Sequence, residues 1–212
     1  MLKVVVFDSG YGGELFADYL EEELPIIEVI RVIDWRNAEQ ILKSPKSARE
    51  TAEKALGPYL GKVNLIVFAN HLLSITSLKY FRRKYKNQYF VGLSLYNKGI
   101  INDKPALLLT TKAITKTFYY FWFIHHTQTK TITFDDWPSL IDDGELTNHK
   151  IRRDLKALLL QDSEFIPEQL VLGCSQFVDL KSELIKFFGH KVRIIDGFEP
   201  ALREVCQVLK LR

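Results

Sequence analysis

Four short apolar runs in this chain stop abruptly at small polar residues. Residues 4–7 lead into Asp8-Ser9-Gly10, residues 65–68 into Ala69-Asn70-His71, residues 106–109 into Thr110-Thr111-Lys112, and residues 170–172 into Gly173-Cys174-Ser175-Gln176. Unbroken runs of Val, Ile, Leu and Phe at this length mark strands buried on both faces, as in parallel sheets covered by helices. Such strands present their carboxyl ends to the crevice where open α/β sheets bind small molecules. The four ends are therefore expected to converge on one cleft, with Cys174 the only thiol among them.

The intervening segments fit that frame. Residues 2–7 predict a strand, 8–13 a flexible turn, and 14–23 a helix broken by Pro25. Residues 26–33 predict the next strand. A helix follows at 45–56, with Ser44 as N-cap and proline at its first position. A strand at 65–68, a helix at 74–86 and a strand at 89–95 complete the first half. In the second half, strands are expected at 106–109, 129–134, 169–172 and 192–195. Helices are expected from 112 to about 123, and at 145–160, 178–188 and 199–209. Strands and helices alternating at this spacing imply βαβ units and mainly parallel sheets. Both halves begin with strand, small polar turn and helix, which predicts two related lobes; residues 97–104 (NKGIINDK) are the expected hinge.

Composition narrows the function. The 212 residues suffice for one large domain or two small ones. A net charge of +3, scattered along the chain, does not argue for nucleic acid. The most basic stretch, residues 79–86 (KYFRRKYK), predicts a solvated helix face with its aromatics turned inward. Residues 117–124 (TFYYFWFI), the most apolar stretch outside strands, fall far short of the ~20 residues a membrane span needs. No secretion leader is recognisable, and the cysteines at 174 and 206 form neither a disulfide framework nor a metal-ligand spacing. A cytoplasmic protein with reduced thiols is the expectation. His125-His126 lack ligand-spaced partners and predict a surface loop rather than a metal site.

The strand ends carry the candidate chemistry. Asp8 can accept a proton or orient a base, or it can cap the following helix. Glycines 10, 12 and 13 could bring N–H groups to an anion, but they match neither the dinucleotide nor the P-loop fingerprint. Cys174, expected just before a helix, could be a stabilised thiolate that attacks a carbonyl or removes a proton beside one. It could equally be a small buried apolar residue. Cys206 reads as core on the last helix. Ser9, Asn70, Thr110, Thr111 and Ser175 suit a carboxylate, though each residue type is also an ordinary helix cap.

Taken in order, several segments resemble the cofactor-independent aspartate/glutamate racemase superfamily, and glutamate racemase most closely. They are Val6-Phe7-Asp8-Ser9-Gly10-x-Gly12-Gly13, Asp34-x-x-Asn37, Lys43-Ser44-Pro45, the strand leading to Ala69-Asn70, Leu109-x-Thr111, Ser139-Leu140-Ile141-Asp142-Asp143-Gly144-Glu145, Leu172-Gly173-Cys174-Ser175 and Ile195-Asp196-Gly197. The resemblance implies two pseudo-symmetric α/β lobes with the active site between them. The lobe limits would be 1–96, with a C-terminal helix at about 198–212 returning to it, and 97–197. It also implies a small dicarboxylate or amino-acid ligand, no cofactor or metal, and a possible homodimer. In the family, two cysteines on opposite faces of the amino acid's α-carbon remove and return the proton, assisted by an aspartate and a histidine. Asp8 matches the assisting aspartate and Cys174 the second-lobe cysteine. Ser9, Asn70, Thr111 and Ser175 match positions that grip the substrate.

The chain departs from that pattern at the chemistry itself. Ala69 stands where the first-lobe cysteine is expected, His71 replaces a threonine, and Gln176 replaces the assisting histidine. A substrate-contacting Pro-Tyr-Gly segment reads Glu39-Gln40-Ile41. An alanine methyl carries no transferable proton, so two-thiol racemisation is not expected. Two classes of function follow. One is an enzyme with one-sided proton transfer at Cys174, as in the related arylmalonate decarboxylases, with His71 either an opposing base oriented by Asp8 or a cap or carboxylate-binding cation. The other is a non-catalytic ligand-binding or regulatory homologue. In either class Gln176 joins Ser9, Asn70, Thr111 and Ser175 in the expected substrate-binding set.

Overall fold

A computed structural model describes residues 1–93, 95, 104–125, 127–159 and 165–211. The expected hinge at 97–104, except Lys104, and His126 of the His125-His126 pair lie outside the described residues. In chain order the elements are β1 (Leu2–Asp8), α1 (Tyr11–Glu23), β2 (Ile27–Ile33), α2 (Ala38–Lys43), α3 (Pro45–Leu56), β3 (Leu65–Phe68), α4 (His71–Lys84) and β4 (Tyr89–Gly92). Then come β5 (Ala106–Thr110), α5 (Lys112–Thr115), α6 (Phe118–His125), β6 (Thr129–Thr133), α7 (Trp137–Asp142), α8 (Asn148–Leu159), β7 (Gln169–Leu172), α9 (Lys181–Phe188), β8 (Arg193–Ile195) and α10 (Phe198–Leu209).

The chain divides into two compact units, residues 1–94 with 197–212, and residues 95–196. Each holds a four-stranded sheet, ordered β2-β1-β3-β4 in the first and β6-β5-β7-β8 in the second. Every pairing is parallel. The fold is two-lobed α/β. The shared order has a physical consequence. The chain leaves the first strand for one neighbour and returns to the other, so a topological switch point falls between β1 and β3, and between β5 and β7. Ligand sites of open α/β sheets form at such points, outside the carboxyl ends of the strands.

Burial explains why the central strands were legible. β3, β5 and β7 are buried along their whole length and β1 over its last five residues, whereas edge strands β2 and β6 are mostly half-buried. Helices cover the faces. In the first unit Val5, Phe7, Ile66 and Phe68 pack against Ala48, Ala52 and Leu56 of α3 and Leu73 and Phe81 of α4. In the second, Ala106, Leu108 and Val171 pack with Phe123. Helix α10 belongs to the first unit, where Phe198 meets Phe16 edge-on at 5.0 Å and Tyr19 at 5.7 Å.

Several expectations change. The helix expected from 112 to about 123 is broken into α5 and α6 by Thr117, whose Oγ1 donates to Ile114 O at 2.7 Å and accepts from Tyr120 N at 3.3 Å. One hydroxyl thus closes one helix and starts the next. Helix α8 begins at Asn148 because Thr147 Oγ1 accepts from Lys150 N. The strand expected at 89–95 ends at Gly92, and α4 begins earlier, at His71. The helix expected at 178–188 is a 3-10 turn, Ser175–Leu180, followed by α9. Short helices α2 and α7 were not anticipated. Ser44 caps α3 as expected, accepting from Ser47 N at 3.1 Å. The basic stretch also behaves as expected, with Lys79, Arg82, Arg83 and Lys84 exposed around a buried Phe81. Cys206 is only half-buried rather than core. Among the described residues, no helix is long and apolar enough to cross a membrane.

Candidate functional site

In the first unit, β1 and β3 deliver Asp8 and Ala69-Asn70 to the switch point. Asp8 is 2% exposed, and its Oδ1 accepts from Ser9 N at 2.6 Å and from Asn70 Nδ2 at 2.8 Å. Asn70 is the N-cap of α4, its Oδ1 accepting from Leu73 N at 2.9 Å. One end of the amide therefore stabilises the helix start while the other orients the carboxylate. Asp8 does not serve as the cap of α1, which is Gly10. The helix nevertheless lies close against it: a Cβ on Gly13 would stand 2.5 Å from Asp8 Cβ and 2.6 Å from Ile33 Cδ1. Glycine at 13 is what lets α1 approach the strand end.

The other first-unit residues singled out in the sequence lie as follows. Asp34, whose N–H bonds Asp8 O at 2.9 Å, takes both contacts from Asn37 Nδ2, at 2.9 and 3.0 Å. That clip holds the turn after β2. Ala69 is fully buried and extends the sheet by donating from its N–H to Phe7 O. His71 is buried at the first turn of α4, so Asn70 and not His71 caps that helix. Its ring packs beside Gly197, where a Cβ would stand 3.0 Å from His71 Nε2 and 3.1 Å from Leu93 Cβ. Within Glu39-Gln40-Ile41, Ile41 enters the core and Gln40 Oε1 accepts from Ser47 Oγ.

In the second unit, β5 and β7 deliver Thr110-Thr111 and Gly173-Cys174. Thr110 is fully buried and its Oγ1 donates to Gly173 O at 3.3 Å. A Cβ on Gly173 would stand 2.6 Å from that same oxygen, so this close strand approach requires glycine. Thr111 is the N-cap of α5 without a side-chain cap bond. Ser175 is buried and Cys174 half-buried. The thiol does not stand at the N-terminus of a long helix: a six-residue 3-10 turn follows it, and α9 begins only at Lys181. Electrostatic assistance to a thiolate from a helix end is correspondingly smaller than the sequence suggested.

What the thiol meets instead is an amide. Cys174 Sγ donates to Gln176 Oε1 at 3.0 Å, while Gln176 Nε2 donates to Asp142 Oδ1 at 2.8 Å and Pro138 O at 3.4 Å. Trp137 of the same short helix stacks on Phe134 at 3.7 Å and meets Phe177 edge-on at 5.7 Å, which fixes α7 against the turn carrying Cys174. Sequence reasoning placed Asp142 in a motif but assigned it no role, because nothing local joins positions 34 residues apart. Among the described residues, no group of three or more His, Cys, Asp or Glu side chains could hold a metal ion.

The chain matches no protein-family model. Its relatives are glutamate racemases. That of Aliivibrio fischeri strain ES114 is 24% identical over 216 residues, spanning 97% of this chain and 80% of the relative. Among solved structures, Escherichia coli glutamate racemase, in complex with L-glutamate and the activator UDP-MurNAc-Ala, superposes with a TM-score of 0.84 at 23% identity, over 99% of this chain and 82% of that one. Glutamate racemase from Francisella tularensis in complex with D-glutamate gives 0.81 at 20% identity, over 99% and 81%.

Proposed function

We propose that this relative of the glutamate racemases retains a small-molecule site at its strand ends, binds a dicarboxylate or dicarboxylic amino acid there, and transfers protons at one face only, through Cys174. Homology supports a racemase-like protein. The observation that carries the finer reading is the asymmetry of two equivalent positions. The strand end of β7 presents a thiol at Cys174, and the strand end of β3 presents the buried methyl of Ala69. Inversion at an α-carbon requires a proton to leave one face and arrive at the other. A missing base therefore removes the reaction rather than merely slowing it, unlike the usual ~10²–10⁴-fold contribution of a positioned acid or base.

The ligand class follows from L- and D-glutamate, which the Escherichia coli and Francisella tularensis proteins bind. The roles proposed for Ser9, Asn70, Thr111 and Ser175 are to donate to ligand carboxylates. Asn70 can do so with the second hydrogen of its Nδ2, the first being given to Asp8. His71 as an opposing base rests on its place two residues after Ala69; its packing beside Gly197 and Leu93 lends that role no support. A second reading, a ligand-binding homologue without catalysis, is favoured by the changed segment at Gln40, now tied to Ser47.

Incubation with D- or L-glutamate and aspartate in deuterated water, followed by NMR of the α-proton, separates the readings. One enantiomer is expected to exchange without inversion, and Cys174→Ala is expected to abolish the exchange. Saturable binding with no exchange selects the binding protein. Inversion that survives Cys174→Ala would refute the assignment.

A further inference from the structure

We infer that the outward face of α6 is a self-association surface, on which a second copy of this chain docks about a two-fold axis. Residues 117–129 (TFYYFWFIHHTQT) contain no Lys, Arg, Asp or Glu. Helix α6 takes up Phe118–His125 of that stretch and belongs to the second unit. Its inner face is spent on the core: Phe123 is buried, and Tyr120 and Ile124 pack with Leu95, Ala106, Leu108 and Val171. Its outer face carries Phe118, Phe121, Trp122 and His125, whose i, i+3, i+4 and i+7 spacing makes them one stripe. Phe118 is 80% exposed, Phe121 52% and Trp122 37%, and Tyr119 beside them is 43% exposed. A helix that is apolar all round is ordinarily buried all round. Here the outer side still meets solvent.

Charge and area decide the occupant. Helices that lie on lipid are rich in Lys and Arg on a polar face. Helix α6 has neither residue, and its second face is core rather than polar. Of the flanking lysines, Lys112 is already paired with Asp135 at 3.1 Å. A second copy meets no such obstacle. Two-fold pairing sets a patch against itself, so a charge near the axis would face its own like. A stripe of uncharged rings escapes that repulsion, and the rings can interleave offset or edge-on. The exposed parts of the four aromatics amount to about two whole side chains, or ~400 Å² at the roughly 200 Å² that each can bury. A standard interface buries ~800 Å² on each partner, with an aromatic, charge-poor core inside a polar rim. The stripe supplies the core, and exposed Lys116, His125 and Gln128 at its two ends supply rim. The product is a dimer of modest affinity, and its assembly is independent of the chemistry at Cys174.

Sedimentation velocity of the whole chain tests this. Between ~1 and ~100 µM, monomer is expected to give way to dimer, as suits a small interface. The contact is apolar, so raising the salt to about 0.5 M should not weaken it. Phe118→Lys and Phe121→Lys each set like charges on both sides of the axis, and each is expected to raise the dissociation constant roughly tenfold or more. Both side chains are exposed in the single chain, so neither substitution opens the core. Phe121→Cys and Trp122→Cys, made separately at the middle of the stripe, give a positive readout. At least one is expected to form a disulfide with its own counterpart on treatment with diamide, identified as the cross-linked peptide by mass spectrometry. A chain that stays monomeric at ~100 µM overturns the inference. So does a dimer that survives both lysine substitutions, or one in which neither cysteine cross-links, since another surface would then carry it. Co-sedimentation of the wild-type chain with phosphatidylcholine–phosphatidylserine vesicles, lost in Phe121→Lys, also overturns it and assigns the face to lipid.

Discussion

Among the neighbours that hold Asp8 are a backbone N–H from Ser9, a side-chain amide from Asn70, and the bare Cα of Gly13. The last is the most exacting, since a methyl there would overlap Asp8 Cβ at 2.5 Å. Gly13→Ala is expected to destabilise the first unit by about 1–3 kcal/mol through overpacking and to displace the carboxylate. Thermal unfolding would register the loss, at roughly 2–4 °C per kcal/mol for a chain of this size. Ala69 offers the converse experiment. Ala69→Cys combined with Gln176→His is expected to introduce α-proton exchange at the second enantiomer, detected by NMR in deuterated water. The cost is a small overpacking penalty, because residue 69 is fully buried.

Between elements, the clearest electrostatic joint links α3 to α4. Glu53 on α3 accepts from Lys84 Nζ, Tyr80 Oη and Tyr85 Oη. Burial alone would raise the Glu53 carboxyl, but these hydrogen bonds outweigh it and hold the group below its ordinary 4.5. A carboxylate depressed by folding contributes stability above its unfolded value and loses that contribution as pH falls through the folded one. The joint should therefore weaken on acidification below about pH 4.5 and remain intact at neutral pH. Glu53→Gln is expected to flatten the acid limb of a stability-versus-pH curve between about pH 5 and 2 without altering its neutral plateau's shape. An unchanged acid limb would show that the joint adds nothing. The surface cluster of Arg31 with Glu14, Asp18 and Glu21 is more exposed and warrants a smaller expectation.

At the scale of the whole chain, the first unit is discontinuous. Its core is completed by α10, which returns after the second unit and places Phe198, Ala201 and Val205 in buried positions. Truncation after Asp196 would uncover Phe16 and Tyr19, which Phe198 now covers. The expected outcome is loss of hydrogen-exchange protection in β1, β3 and β4, with β5 and β7 retaining theirs, because those strands draw their core from within residues 95–196. The milder Phe198→Ala should cost roughly 3–5 kcal/mol and act on the same strands.

The sequence by itself determined the central strands, their polar ends and the two-lobe α/β class. A strand buried on both faces writes its whole environment into four or five consecutive residues, as in Leu65–Phe68 and Gln169–Leu172. It also exposed the asymmetry between Ala69 and Cys174, since each sits one or two residues beyond such a strand. The tertiary structure alone decided which partners the polar residues take. Asp8 faces Asn70 across 62 positions, and Gln176 faces Asp142 across 34. The break at Thr117, the short helices α2 and α7, and the 3-10 turn after Cys174 were likewise invisible. Each is settled by a single hydrogen bond or by packing rather than by a repeating pattern, and a hydrogen bond's direction depends on atoms that only folding brings together.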